Sequence, residues 1–360
     1  MTAPRLEINL EKIRHNTATL TARLKARGIN VTGVTKSTLG DPGIADVLLQ
    51  AGVHGLGDSR IENIEAMRHA GVQTEMTLIR SPMMSQVDRV VAHADISLNS
   101  ELDVISQLSM AAHKSGRTHG VVLMVELGDL REGIMPEDLE YTVRETLRFP
   151  NIRIRGIGTN LACRNGVSPD SRNMNKLSEL ADSIDATFGP ILDIVSGGNS
   201  GNLNWALGGA DTGRINHLRL GESLLFGVET LHRQPIDGLY TDAVTLVAEV
   251  IESKIKPSKP WGVIAQTAFG ARPPDEDRGT IAQSILAIGC QDIDPDGLLP
   301  PAGITVLGAS SDHLIVDTGT RRFPVGAEIK FQPTYSALLR AMTSPFVSKV
   351  VTAAASSAAA

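Results

Sequence analysis

Lys36 closes a short β-branched run, Val31-Thr32-Gly33-Val34-Thr35, in the stretch GINVTGVTKSTLGDPG, and small polar residues and a Gly-Asp-Pro-Gly turn follow it. A primary amine at a strand end, facing a loop of small residues, has the chemistry to form a Schiff base with an aldehyde cofactor. The plainer alternative is a lysine that leaves the strand for water. A second stretch, SGGNSGN at 196–202, has the composition of a phosphate cradle made of backbone N–H groups. Taken alone it is equally an ordinary loop. Taken with Lys36, it asks for an aldehyde that also carries a phosphate, which is pyridoxal phosphate.

Whether those two stretches meet depends on the elements that carry them. From Val31 to about Gly227 strand-like runs alternate with helical ones. RIENIEAMRHAG and ELDVISQLSMAAHKSG have apolar residues at helical spacing and end on glycine, and Pro136 to Arg148 and Lys176 to Phe188 read as further helices. The intervening runs VHGLGDS, TEMTLIRS, DISLNS, THGVVLMVEL, IRIRGIGTNLA, ILDIVSGGNS and INHLRLGE read as strands. With the run before Lys36 this makes eight β/α units in about 220 residues, the pattern of an α/β chain closed into a (β/α)8 barrel. Each strand turns polar at its C-terminal end, where such barrels keep their active sites. Lys36 and 196–202 then share one mouth.

After Gly227 the texture changes. AVTLVAEVIESKIKP, WGVIAQTAFG, TIAQSILAIGCQDID, GITVLGASSDHLIVD and AEIKFQPTY read as strands separated by turns, with a single helix at SALLRAMTSPFV. The expected division is a barrel over 1–230, a β-rich domain over 231–350 and a low-complexity, disordered tail over 351–360. Hydrophobic residues make up 42% and charged residues 21% of the 360 residues, the balance of an ordinary globular chain. A net charge of -6 without a basic stripe gives no sign of a nucleic-acid partner. No apolar run has signal-peptide or membrane-spanning length, and Cys163 and Cys290 are the only cysteines, so a cytoplasmic, reducing location without a disulfide framework is expected. No Cys/His spacing indicates a metal, and His313 stands alone beside Asp312.

The strand-end lysine, the Gly/Asn/Ser turn, RLGESLLFG and the trailing β domain together resemble the fold-type III pyridoxal phosphate enzymes, the alanine racemase family. GVTK, DSRIEN, SLNSE, GIGTNL, SILAIGCQD, LGASSDHLIVD and LLRAMTSPFV place the resemblance in the ornithine/lysine racemase branch, from about Leu6 to about Val347. It implies a racemase that interconverts L- and D-amino acids such as ornithine or lysine by moving the α-proton. Lys36 would carry the cofactor and serve as one proton-transfer group. Arg219 would face the pyridine nitrogen, with Asn160 where the family stacks a histidine on the ring. Asn199, Ser200, the backbone of Gly221 and Glu222, and Tyr335 would bind the phosphate. Arg131 would lie near the substrate carboxylate. The resemblance also implies a head-to-tail homodimer in which Ser311 and Asp312 reach the partner's site.

Several positions depart from alanine racemase. Leu39 stands where a phosphate-binding tyrosine is expected, and Phe269 falls where the second proton-transfer tyrosine would be. With tyrosines only at 141, 240 and 335, none is spare. Cys290 is the nearest titratable residue by position and is the candidate second base, a role that needs a thiol pKa lowered by a cation. Ser311, Thr267 or a water are the alternatives. A D-amino-acid aldolase and a decarboxylase of the same fold are the nearest rivals in chemistry, the latter weakly suggested by Cys290 with Asp292. A non-catalytic cofactor-homeostasis protein would resemble the barrel but lack the domain after Gly227.

Overall fold

The computed structural model describes residues 2–270 and 276–352. The chain divides into a barrel unit, Lys12–Thr241, and a second unit made of the first eleven residues together with 242 onward. In chain order β1 (Arg5–Asn9) comes first. β2 (Asn30–Val34), β3 (Gly55–Asp58), β4 (Met76–Leu78), β5 (Ile96–Asn99), β6 (His119–Met124), β7 (Ile152–Gly158), β8 (Ile194–Ser196) and β9 (His217–Leu220) then close into a barrel. Every pair in it is parallel, and β9 returns to β2 with Thr32 opposite Arg219.

The sequence accounts for this closure. Parallel strands need crossovers, and helices cover the outside of the wall, so β6 (HGVVLM) is buried at every position. The first crossover helix, Pro42–Gln50, starts where Asp41 accepts a hydrogen bond from the Ile44 N–H at 2.9 Å, with proline in its first turn. The helix expected from Lys176 begins earlier, at Ser171, because Asp170 and Asn173 form a reciprocal capping box. Inside the wall, Ile96, Leu98, Val122 and Met124 form a buried cluster with Ile79 and Ile194 packed against it. The same wall buries polar side chains: Ser97 with His119 at 2.8 Å, and Thr32 and Ser196 on either side of His217.

The second unit adds β10 (Val244–Pro257), β11 (Thr280–Leu286), β12 (Leu298–Leu299), β13 (Thr305–Ala309), β14 (Leu314–Asp317), β15 (Glu328–Pro333) and β16 (Ser348–Thr352). Its sheet runs β12-β15-β10-β11-β14-β13 with antiparallel neighbours. The long β10 serves two ladders. Its first half pairs with β1 and β15, and its second half, past a register shift between Val250 and Glu252, pairs with β11.

Three expectations are revised. Residues 1–11 do not belong with the barrel, and the division falls at 241/242 rather than 230/231, because Arg5 to Ile8 pair with Val247 to Val244 and β16 runs parallel beside them. WGVIAQTAFG is not a strand: among the described residues its one bridge joins Thr267 to Gly270, and Trp261 and Phe269 are 91% and 58% exposed. Of the low-complexity tail, Val351 and Thr352 complete β16, and 353–360 lie outside the described residues.

Candidate active site

Lys36 is the first residue of a 3₁₀ turn, Lys36–Thr38, directly beyond β2. The turn is set by its neighbours. Thr35 N–H donates to Gly57 O across to β3, Thr38 donates to Thr35 O from both its N–H and its hydroxyl, and Leu39 takes a left-handed φ of 54°. Gly40 follows at φ 65°, and a Cβ there would sit 2.9 Å from Asn63 O. Thr35 Oγ1 also donates at 2.8 Å to Asp58, a fully buried carboxylate that accepts from Arg60 N–H and Asn63 Nδ2.

Burial pushes the Lys36 ammonium below its usual pKa. Cys163 opposes that shift, Arg131 reinforces it, and Asp58 and Glu222 oppose it more weakly. Burial and Arg131 outweigh the three opposing groups and favour the neutral, nucleophilic form of the amine. The folded pKa therefore lies below the unfolded one, and between them the unfolded chain binds the extra proton. Stability then rises with pH across that window, and below it the charged, buried amine costs stability. Lys36→Met in the cofactor-free chain should accordingly melt higher than the parent at pH 7, with the gap closing toward pH 10, as measured by calorimetry. A variant that melts lower at neutral pH would show that the amine is held by its partners rather than strained by burial.

Arg131 and Cys163 come together at the same end of the barrel. Arg131 Nη1 donates to Cys163 Sγ at 2.6 Å, and its other nitrogens grip the Glu132 carboxylate, which raises the guanidinium pKa. The segment holding Cys163 is pinned by Asp129, which is fully buried and accepts the backbone N–H groups of Cys163, Arg164, Asn165 and Val167 at 2.8–3.3 Å. Burial alone would raise the Asp129 pKa, but those four donors hold it below the usual carboxylate range. Neither Asp129 nor Cys163 was singled out from sequence. Cys163 directly follows IRIRGIGTNLA, a strand run whose polar end marks the barrel mouth.

Asn160, Asn199 and Arg219 form one group. Asn160 Oδ1 accepts from Asn199 Nδ2 at 3.1 Å and from Arg219 Nη2 at 3.3 Å, whereas Asn160 Nδ2 is buried with no partner among the described residues. Asn199 is already engaged. Its amide also donates to Leu161 O and its oxygen caps Gly201 N–H, so it frames the Ser200–Asn202 turn. Gly198 must be glycine there, since a Cβ would lie 2.1 Å from Asn202 Oδ1. Ser200 Oγ stands 3.0 Å from Ser223 Oγ and accepts from Ser223 N–H, which holds this turn beside the Gly221–Glu222 turn that follows β9. At Gly221 a Cβ would come within 3.1 Å of Val34 O. Burial raises the Glu222 pKa against the pull of Arg233, which donates to it at 2.6 Å. Arg219 is buried, and burial lowers its pKa to about 10, so it remains a cation at neutral pH.

The remaining candidates lie in the second unit. Cys290 and Ser311 are brought together there: Cys290 N–H donates to Ser310 O at 2.8 Å and Gln291 N–H to Ser311 O at 2.9 Å. Asp312 is exposed and bonded to His313 at 2.6 Å. Tyr335 is half-buried at the start of the Tyr335–Thr343 helix. The Cys290 thiol runs opposite to what a base requires. Burial pushes its pKa up, and Arg340 only partly offsets that. Asp292 is buried against Ser344 Oγ at 2.6 Å, which makes it a structural acceptor.

A closed parallel barrel with a half-buried lysine just beyond its first strand, followed by a mainly antiparallel unit, defines the alanine racemase type of fold. Residues 8–229 match the alanine racemase N-terminal domain model, and the chain belongs to that family. It is 39% identical to the ornithine racemase of Acetoanaerobium sticklandii, over 96% of this chain and 99% of that one. It is 40% identical to the lysine racemase of Thermotoga maritima, over 97% and 99%. Among solved structures, the alanine racemase of a D-cycloserine-producing Streptomyces lavendulae superposes with a TM-score of 0.75 at 19% identity, covering 98% of each chain.

Proposed function

We propose that the protein is a pyridoxal phosphate-dependent amino-acid racemase acting on ornithine, lysine or a closely related amino acid. The observation that carries this reading is identity of 39–40% to an ornithine and a lysine racemase across both units rather than the barrel alone. The residues present fit the cofactor. Lys36 offers an amine favoured in its neutral form, and the unpartnered Asn160 Nδ2 beside the Arg219 cation leaves a buried donor for a ring substituent. The small-residue turns at Ser200–Asn202 and Gly221–Glu222 suit a phosphate.

Bound through Lys36, pyridoxal phosphate supplies an electron sink that acidifies the α-hydrogen of an amino acid. The chain's own residues do the rest. Ser200 and the backbone near Gly221 and Glu222 hold the phosphate, and Asn199 keeps that turn in shape. Arg219 sets a fixed positive charge at the ring nitrogen, because a guanidinium does not give up its proton there. Arg131, steadied by Glu132 and Cys163, orients the substrate carboxylate. Lys36, freed as an amine, takes or returns a proton on one side of the α-carbon, helped by its lowered pKa.

The opposite side belongs to a second copy of the chain in a cytoplasmic homodimer, through the loops carrying Cys290, Ser311 and Asp312. Tyr335 acts on the phosphate in the same reading. The exposed Trp261, Val263, Ile264 and Phe269 supply apolar surface of the kind that self-association covers.

The test is chiral chromatography of single L- and D-amino acids incubated with enzyme and pyridoxal phosphate. Ornithine or lysine should approach equal amounts of both enantiomers from either side. Release of carbon dioxide, or cleavage to glycine and an aldehyde, would replace this reading with a decarboxylase or an aldolase.

A further inference from the structure

Arg219 is buried, yet among the described residues no carboxylate hydrogen-bonds to it. Nη1 donates to Ser196 Oγ, and Nη2 donates to Thr159 O at 2.8 Å and to Asn160 Oδ1 at 3.3 Å. Behind Ser196 the contacts continue. Ser196 Oγ is 2.8 Å from His217 Nδ1, and His217 Nε2 is 2.8 Å from Thr32 Oγ1. His217 precedes Arg219 by two positions on β9, so the strand period points both side chains to the same side of the wall.

The proton count gives this chain a direction. Ser196 Oγ receives a guanidinium N–H, and among the described residues His217 Nδ1 is the one acceptor in hydrogen-bond contact with its hydroxyl, so donation to Nδ1 satisfies that proton. A neutral imidazole accepts at only one nitrogen, so its proton sits on Nε2 and is donated to Thr32 Oγ1. We propose that His217, held as the neutral Nε2–H tautomer, is a positioning residue that fixes the Arg219 guanidinium through Ser196. A charged imidazolium would donate from both nitrogens and set a second cation beside Arg219. Burial, with the charges of Arg219 and His54, pushes the His217 pKa down to about 3 and keeps the ring neutral. The chain ends on a cavity of about 130 Å³ with Thr32, Ser196 and His217 on its polar side and Ile96, Leu98 and Val122 on its apolar side, large enough to hold a water that takes the Thr32 proton. Arg219, His54, Glu75, Arg155 and Asp193 are the other ionisable groups on its lining.

Three neutral acceptors therefore orient Arg219 without cancelling its charge, where a carboxylate would do both. The consequence for the cofactor rests on the reading that Arg219 faces the pyridine nitrogen, but the hydrogen-bond chain does not.

The test uses the full chain with ¹⁵N-labelled histidine, the His217 signals being assigned by their loss in His217→Gln. The expected spectrum is that of an Nε2–H imidazole that does not titrate between about pH 5 and 8. Ser196→Ala should then weaken pyridoxal phosphate binding on the order of tenfold, shift its visible absorption band and lower kcat more than it changes KM, while Ser196→Thr, which keeps a hydroxyl, restores the parental values. A ring protonated on Nδ1, or one that titrates near its ordinary pKa, overturns the proposal. So does a Ser196→Ala chain with parental melting, cofactor affinity and spectrum. If that variant does not fold, the tautomer in the parent decides. If the parent binds no pyridoxal phosphate, the racemase reading fails and the tautomer still decides the role of His217.

Discussion

Lys36→Ala is expected to lower racemisation by a factor of at least about 10⁴ while leaving the fold intact. One side chain is asked both to attach the cofactor and to move a proton, and alanine can do neither. Lys36→Arg should be equally inactive. It keeps the charge, but a guanidinium does not release a proton near neutral pH and does not add to an aldehyde as a free amine does. Circular dichroism and calorimetry on both variants separate this from unfolding, and Lys36→Ala, which removes a desolvated ammonium, should not lower the melting temperature. Retention of more than a small fraction of parental turnover by either variant would mean that another group carries the chemistry.

The second large effect is structural in origin. Asp129→Ala removes one carboxylate and with it the acceptor of four backbone N–H groups in 163–167. The expected loss is about 3 kcal/mol, or a fall in melting temperature of about 6–12 °C. Because that segment sets the sulfur that Arg131 contacts, kcat/KM should fall by about 10²-fold as well. Asp129→Asn keeps an acceptor oxygen and should lie between the two. The sign of the pH effect follows from the depressed carboxyl pKa. Its contribution is fully present above the unfolded aspartate value near 4 and is lost as pH falls through the lower folded value. Stability curves measured from pH 7 down should therefore be steeper at the acid end for the parent than for Asp129→Ala. Parallel curves would deny Asp129 that role.

Much of the barrel was legible because its signals are local. Each strand turned polar at the end that forms the mouth, and the helices between them carried their own periodicity and stops. Lys36, Arg219 and the 196–202 turn could be placed by that rule alone or with the family resemblance. What escaped depends on contacts distant in sequence. β1 was not among the strands read from the sequence, and its pairing with Val244 to Val247 is what assigns it to the second unit. Asp129 sits in ELGDLREG, a polar strand end in which Arg131 alone was named, and an aspartate that binds a loop some 35 positions away leaves no periodic mark.

His217 shows the same difficulty inside the wall. A single histidine on a strand reads as any buried ring until Ser196 and Thr32 are found on either side of it. Cys290 was singled out by its position along the chain, but burial moves its thiol away from a base, while Cys163 is the cysteine that meets Arg131. The strand expected at WGVIAQTAFG failed for a different reason. Its β-branched and aromatic residues satisfy strand propensity, but the ladders that would pair it are absent among the described residues, and its side chains are left exposed.

The central claim is that Lys36 is the residue that carries pyridoxal phosphate in an amino-acid racemase. It is tested most directly by borohydride reduction of the purified, cofactor-loaded enzyme, followed by proteolysis and mass mapping of the pyridoxyl group, with enantiomer interconversion measured on the same sample before and after reduction. The account predicts one pyridoxyl group per chain, on the peptide containing Lys36, and loss of interconversion in step with its appearance. A pyridoxyl group on another lysine, or full activity in a chain reduced at Lys36, would contradict it.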